Sequence, residues 1–263
     1  FGFKVGVWID ELRRHIQRLR EAEPRVFVAM LGGAAGTSAS FGPDAPKIQS
    51  RFADRLGLRT MPVHARSIND HLAEYVMLLG MLAATAGKIA NETYELMKEE
   101  FSEVEEPIPE GTVGSSTMPH KRNPKLAQDI RAATAEVRAL VPLALEAMLT
   151  EHEADRTNMN VMRRALEGAC IETGDVLQRL LILVKGLRVF PDRMRSNLDL
   201  SGGLIMSEPI MLELGKKMGR QRAHDVVYEE SQAAAIGKVA FRDLLAVNQT
   251  VRKFLSDSEI DEV

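Results

Sequence analysis

Hydrophobic residues recur at steps of three and four along most of this chain, and no segment shows a convincing alternation of apolar and polar positions. Such a step keeps apolar side chains on one face of a helix, so the pattern predicts helices and no strands. The first predicted helix covers residues 5–31, and Pro24 should kink or break it. A short helix follows residues 43–44 and runs to about Leu56, where Gly57 closes it.

The longest helical pattern covers residues 67–106 and ends at Pro107 and Pro109. It spans about forty residues, or roughly 60 Å at 1.5 Å per residue. A helix of this length does not fit inside a small monomer, so we expect an extended bundle that is shared between subunits. Two more long helices are predicted at residues 124–151, where Pro124 suits a first turn, and at residues 160–187.

Shorter helices follow the long ones, and they are predicted at residues 207–218, 220–236 and 241–255. The change from long to short helices near Arg195 predicts a domain boundary. We therefore expect a central long-helix bundle over residues 1–195 and a small helical C-terminal domain over residues 196–263.

Composition supports an all-α fold and narrows the choice of partners. Hydrophobic residues make up 45% and charged residues 27% of the chain, and strong helix formers such as Ala, Leu, Met and Glu are frequent. The formal net charge of -3 provides no basic field for a nucleic acid. No uninterrupted apolar run reaches the ~20 residues that cross a bilayer, so we expect neither a nucleic-acid nor a membrane partner.

The cysteine and histidine content argues against metal chemistry. Cys170 is the only cysteine, which excludes an internal disulfide and suits a reducing compartment, so we expect a cytoplasmic protein. None of the six histidines pairs with another at metal-ligand spacing, and we expect no metal and no cofactor. His15 and His71 are expected on helix surfaces.

The segment with the most chemical content is Gly-Ser-Ser-Thr-Met-Pro-His-Lys-Arg-Asn-Pro at residues 114–124, a loop between two long helices. Ser115 or Ser116 can act as a base only if backbone N–H groups and a nearby cation stabilise its alkoxide. Lys121 supplies a point charge for a carboxylate, and Asn123 can orient a carboxylate oxygen. These residues suit removal of a proton beside a carboxyl group. An ordinary polar loop between helices is the alternative that composition alone leaves open.

This string resembles the GSSxMPxKxNP motif of the fumarase/aspartase superfamily of lyases, and every fixed position of the motif matches. The segments at residues 1–12, 41–42 and 197–204 are similar to the carboxymuconate cycloisomerase and adenylosuccinate lyase branch. The resemblance implies a long-helix bundle that forms a homotetramer, with active sites shared between subunits and a small C-terminal domain. It also implies that the family's N-terminal domain, which carries further catalytic residues, is absent from this chain, so we expect the chain alone to be inactive.

The resemblance assigns roles to individual residues of the loop. It makes Ser115 the catalytic base, in an anti elimination that releases fumarate from a substituted succinate. Ser116, Met118, Lys121 and Asn123 would line the carboxylates of the substrate.

Elsewhere the chain departs from its relatives. Residues 67–70 replace a substrate-contacting Thr-Gln-Arg-Asp turn, so Ser67 is either a substrate contact or the cap of the long helix. Adenylosuccinate lyases bind a nucleotide phosphate where this chain has Ala154, Met159 and Asn160, and Arg163 is the one basic position that matches. The loss of these phosphate ligands argues against a nucleotide substrate.

Arg131 lies two turns into the helix that follows the loop. It is either a contact for a second carboxylate of the substrate or a solvated surface charge.

The leading hypothesis is a lyase that cleaves a C–N bond and releases fumarate from an N-substituted aspartate that is not a nucleotide. The first alternative is a 3-carboxy-cis,cis-muconate cycloisomerase, which closes a lactone with similar groups. The second alternative is a catalytically inactive structural homologue, against which the intact Ser115, Lys121 and Asn123 argue. A helical-bundle interaction module remains as the interpretation that the motif disfavours.

Overall fold

The computed structural model describes residues 1–108 and 122–263, and within these ranges the fold is all-α. The chain divides into two compact units, one formed by residues 1–98 with 104–188 and the other by residues 99–103 with 189–263. The domain boundary predicted near Arg195 stays a prediction.

The first unit contains the four longest of the described helices. Its helices are α1 (Gly2–Val26), α2 (Ala45–Leu56), α3 (Asp70–Leu96), α4 (Lys125–Glu146) and α5 (Arg156–Gly186). A short 3-10 helix precedes α2 at Ala39–Asp44. Two-residue strands β1 (Val28–Ala29) and β2 (Arg59–Thr60) pair in parallel with Val28 opposite Arg59, and β3 lies at Val104–Glu105.

Helix α3 is the centre of this unit and packs against α1, α4 and α5. Small residues let α3 and α4 approach closely, because a Cβ at Gly80 would lie 2.5 Å from Val141 Cγ2. The buried face of α3 is a run of apolar residues at helical spacing, which includes Ala73, Val76, Leu79, Ala83, Ala86 and Ala90. Burial of this face supplies most of the driving force for the bundle.

Local sequence signals set several helix ends. Helix α5 begins after Asp155, whose side chain accepts the backbone N–H groups of Thr157 and Asn158. Helix α2 ends at Gly57, which has the left-handed φ of 66° that glycine adopts without strain.

The second unit consists of short helices around one core. Strand β4 (Arg188–Val189) leads into α6 (Pro191–Leu198), and α7 to α11 follow at Ser207–Met218, Arg220–Gly237, Phe241–Val247, Gln249–Arg252 and Asp257–Glu262. Two single 3-10 turns, Asp199–Ser201 and Leu204–Met206, connect α6 to α7. Fully buried side chains from four of the helices form the core, with Leu214, Phe241, Leu245 and Val251 at its centre.

Two predicted helices differ markedly from the structure. The forty-residue helix is the 27-residue α3, about 40 Å long, because the chain turns after Leu96 and becomes extended at β3. The helix predicted over residues 241–255 is split at Asn248, whose side chain accepts two N–H groups and starts α10. Helix α6 and the two-residue strands were not predicted.

Helix α3 is long and apolar enough to cross a membrane by length and composition, with a mean hydropathy of 1.4 over its most apolar stretch. Charged residues, including Glu74 and Lys88, interrupt the apolar run of α3, so the expectation of no membrane partner stays a prediction. The helix is weak evidence for a membrane, since core helices of soluble proteins have the same composition and 50% of this stretch is buried.

Candidate active site

Of the predicted catalytic loop, only the last residues, 122–124, are described. Ser115, Ser116, Met118 and Lys121 lie outside the described residues. Asn123 is described and half-buried, and its backbone carbonyl accepts the N–H of Lys125 at 2.8 Å. This bond places Asn123 directly before the first turn of α4.

The carboxylate of Glu106 connects the segment before residues 109–121 to the start of α4. Its side chain is only 4% exposed, and its oxygens accept the backbone N–H groups of Leu126 at 2.8 Å and Ala127 at 2.9 Å. These donors belong to the first turn of α4, whose N–H groups have no partner within the helix and favour a negative charge. Burial raises the pKa of Glu106, and the hydrogen bonds to Ala127 and Leu126 only partly counteract this effect.

Ion pairs and close packing also hold the segment that contains Glu105 and Pro107. Glu105 pairs with Arg122 at 3.6 Å and with Arg188 at 2.7 Å, around a small cleft of about 260 Å³. Pro107 packs so closely on Gly186 that a Cβ at that glycine would lie 2.5 Å from the proline ring. The segment before the loop is therefore fixed against both α4 and the end of α5.

A groove of about 650 Å³ runs between α3 and α4 and begins beside the loop's attachment to α4. Its polar lining comes from both helices and comprises Lys88, Asn91, Gln128, Arg131, Thr134 and Arg138. Three of these residues are cations, and no carboxylate is among the described residues that line the groove. The lining favours an anionic ligand.

Arg131, one of the predicted substrate contacts, lies in this groove. Its guanidinium stacks on the ring of Tyr94 at 4.5 Å from the centroid, a cation–π contact that restricts its position. Arg131 is half-buried, and its role as a contact for a second carboxylate stays a prediction.

Ser67 lies elsewhere, beyond the other end of α4. Its backbone carbonyl accepts the hydroxyl of Thr150 at 3.0 Å, four residues after α4 ends. The prediction that Ser67 caps α3 is wrong, because Asn69 occupies the cap position. Asn69 is itself buried, and its amide donates to the carbonyl of Ala147 at 3.2 Å, so this side chain ties α3 to the end of α4.

The start of α5 lies beside Ser67. Arg66 contacts the sulfur of Met159 at 3.6 Å, and Arg163, one helical turn further along, is exposed. Helix α4 has 22 residues and therefore spans about 33 Å. The structure does not bring Ser67 and Arg163 together with Asn123 and Arg131 within one chain.

Sequence reasoning missed Glu106, Gln128, Lys88 and Arg138. The last three form polar stripes at helical spacing on otherwise apolar helices, and such a stripe could have revealed the groove. Glu106 had no comparable signal, because its partners are twenty residues away in sequence.

The histidines take no part in a metal centre within the described ranges, where no cluster of three metal-ligating side chains occurs. The surface placement expected for His15 is wrong, because His15 is buried and lies 2.9 Å from the hydroxyl of Thr85. His71 is half-buried in the first turn of α3, so its side chain lies only partly on the surface. Burial lowers the pKa of both histidines.

A long-helix bundle with a cation-lined groove, in a chain whose sequence carries the Gly-Ser-Ser motif, fits the class of helical lyases. Family models agree with this class, since a model described as "Lyase" matches residues 1–139 and one described as "Adenylosuccinate lyase C-terminus" matches residues 203–263. The chain belongs to the fumarase/aspartase superfamily of lyases.

Individual relatives support the same family. The chain is 41% identical over 261 residues to N-acetyl-S-(2-succino)cysteine lyase of Dickeya dadantii, and 38% identical over 269 residues to adenylosuccinate lyase of Pyrococcus abyssi. Each match covers 99% of the chain and 58% of the relative, so the chain spans little more than half the length of these proteins. The crystal structure of 3-carboxy-cis,cis-muconate lactonizing enzyme from Pseudomonas putida matches with a TM-score of 0.88 at 33% identity, over 99% of the chain and 57% of that structure.

Proposed function

We propose that the whole protein is a lyase that eliminates fumarate from an N-substituted aspartate by cleaving its C–N bond. The observation that carries this proposal is the eleven-residue string at residues 114–124, which joins α4 directly beside a groove lined by three cations. A doubly charged carboxylate intermediate needs such surroundings.

In the proposed reaction, Ser115 takes the proton from the carbon next to one carboxyl group of the substrate. The electron pair left on that carbon spreads into the carboxylate and then forms the new double bond as the C–N bond breaks. The amine leaves with the bonding pair and takes up a proton. Ser116, Met118, Lys121 and Asn123 would contact one carboxylate, and Arg131 would contact the other.

We propose that each site is shared between copies in a homotetramer. The span of about 33 Å along α4 supports this arrangement, because Ser67 and Arg163 reach a loop only if the loop belongs to another copy. Exposed apolar side chains on α5 support subunit contacts, and they include Ile171, Leu181, Ile182 and Val184. Light scattering should give a tetramer, and a monomer would contradict the shared site. The single cysteine supports a cytoplasmic location.

Incubation of the full-length protein with fumarate adducts tests the reaction. Absorbance of the released fumarate should rise with adducts of amines, and Ser115→Ala should remove the activity without changing the oligomeric state. Ser50→Ala, which changes an exposed serine on α2, is the matched control and should remain active. Substantial activity of Ser115→Ala would disprove the role of Ser115 as the base.

Two findings favour related reactions, which the same assay distinguishes. The name of the Dickeya dadantii relative places the succinyl group on sulfur, so an adduct of a thiol belongs in the assay. The similarity to a muconate lactonizing enzyme favours cycloisomerisation as the second candidate function. Turnover of carboxymuconate without release of fumarate from any adduct would select this second candidate.

A further inference from the structure

The groove between α3 and α4 extends well beyond the loop, and Arg138 lies at its far end. A Cβ at Gly87 would lie 3.3 Å from Arg138 Nη1 and 2.8 Å from Thr134 Oγ1. The missing side chain of Gly87 therefore makes the room in which the guanidinium of Arg138 rests against α3. Lys88, the next residue of α3, also lines this end.

The charge at the far end is only partly compensated. Lys88 forms an ion pair with Glu11 of α1. In the described part of the chain, Arg131 and Arg138 form no ion pair with a carboxylate, although both sit in a groove wall. A guanidinium presents a planar fork of donors that matches a carboxylate.

Distance separates the far end from the proposed reaction. Arg138 lies 13 residues after Lys125, the first residue of α4, and this corresponds to about 20 Å along the helix. Arg131 lies about 9 Å from the same point, within reach of the loop end. A four-carbon succinyl unit held at the loop and Arg131 does not extend to Arg138. The volume of about 650 Å³ is within the range of small-molecule sites and leaves room for a larger substrate.

We propose that Arg138, with Lys88, binds a carboxylate on the leaving part of the substrate. The substrate class is thus a succinyl adduct of an amine or a thiol that itself carries a carboxyl group. This inference rests on the proposed function, because it assumes that elimination occurs at the loop end of the groove.

Matched pairs of adducts test it with the full-length protein. One pair carries the succinyl group on the amine of glycine or of glycinamide, and the other carries it on the sulfur of N-acetylcysteine or of N-acetylcysteinamide. Within each pair only the charge of the leaving part changes. The acid of each pair should have a kcat/KM about tenfold or more above that of the amide, as expected for a hydrogen-bonded charge, and the difference should lie in KM.

The Arg138→Gln variant should raise KM for the acids by about tenfold and leave the amides unchanged, and Arg138→Lys should restore part of the preference. Arg131→Gln should reduce kcat/KM for acids and amides alike, because Arg131 meets the succinyl part that all adducts share. Arg164→Gln, an exposed arginine on α5, is the matched control and should change neither.

Equal kcat/KM for acid and amide in the wild type, or an equal loss for both in Arg138→Gln, would overturn this inference and leave the proposed function standing. Failure to release fumarate from any adduct would overturn the proposed function and the inference with it.

Discussion

Replacement of Glu106 with alanine tests whether this one buried carboxylate holds the segment before residues 109–121 against the start of α4. The variant removes the acceptor of the backbone N–H groups of Leu126 and Ala127, which the wild type holds at 2.8 and 2.9 Å. Ala127 is fully buried, so water does not readily replace the lost acceptor. Glu106→Ala should therefore destabilise the first turn of α4.

The size of the effect follows from two opposing contributions. Each buried N–H group left without a partner costs about 1–3 kcal/mol. Part of this loss is offset, because alanine also removes the cost of burying a carboxylate, which the raised pKa of Glu106 reveals. A net loss of about 2–4 kcal/mol remains, and for a chain of this size it lowers the melting temperature by roughly 5 to 15 °C.

Thermal unfolding of the full-length protein, followed by circular dichroism, measures this loss. The neighbouring Glu105→Ala is the matched control, because Glu105 pairs with the more exposed Arg122 and Arg188. Such a pair contributes about 1 kcal/mol or less, so the control should melt only a few degrees below the wild type. Equal melting temperatures of the two alanine variants would refute the reasoning.

The pH dependence gives a second test, with Glu106→Gln as the variant. For a carboxyl group with a raised folded-state pKa, the contribution to stability is complete below the unfolded pKa and declines as pH rises through the folded pKa. Burial is the cause that raises the pKa of Glu106. The neutral glutamine does not titrate, so this variant should gain stability relative to the wild type as pH rises above the ordinary carboxyl pKa of about 4. A relative gain by the wild type would contradict this sign.

Two further predictions concern packing and protonation. Gly80→Ala should cost about 1–3 kcal/mol of stability, because its Cβ would lie 2.5 Å from Val141. The control is Gly174→Ala in α5, which has nothing within 4 Å of the added carbon and should gain up to about 1 kcal/mol. Equal melting temperatures of the two variants would contradict the close contact of α3 and α4. His64 accepts the N–H of Leu31 on Nδ1 at 3.0 Å, and burial lowers the pKa of this imidazole. The contribution of His64 to stability is therefore present above the ordinary histidine pKa and is lost as pH falls below about 6.5. Unfolding curves between pH 8 and pH 5 should show a smaller loss in His64→Gln than in the wild type.

Strong local signals made part of the fold predictable. Helix α7 was predicted with its observed ends, and α2 was predicted to end at Leu56 because Gly57 adopts a conformation that few other residues take. The end of α3 was not predictable in this way. No glycine or proline follows Leu96 closely, and apolar residues continue at helical spacing into β3. The contacts of the folded bundle, and not local preference, end this helix.

The candidate site, like the fold, was only partly predictable from the sequence. Its family was predictable from the resemblance of the Gly-Ser-Ser string to a lyase motif, whereas the roles of the loop residues stay predictions. The arrangement around it was not, because Glu106 meets α4 across the loop and Arg131 meets Tyr94 across two helices. Single-sequence patterns describe neighbours along one helix and contain no measure of which helices pack together.

The positions where this chain departs from its relatives lie beyond one end of helix α4. The loop and Arg131 lie at its start, while Asn69 and Met159 lie beyond its end, about 33 Å away. Asn69 is buried and its amide donates to the carbonyl of Ala147, so within the described chain this side chain makes a structural contact between α3 and the end of α4. On the proposed shared arrangement, the two ends of one α4 serve two different active sites of the tetramer. On this proposal, we expect the changes at Asn69 and Met159 to alter the substrate range of a site whose loop belongs to another copy, so that the selectivity of each site depends on both ends of the bundle.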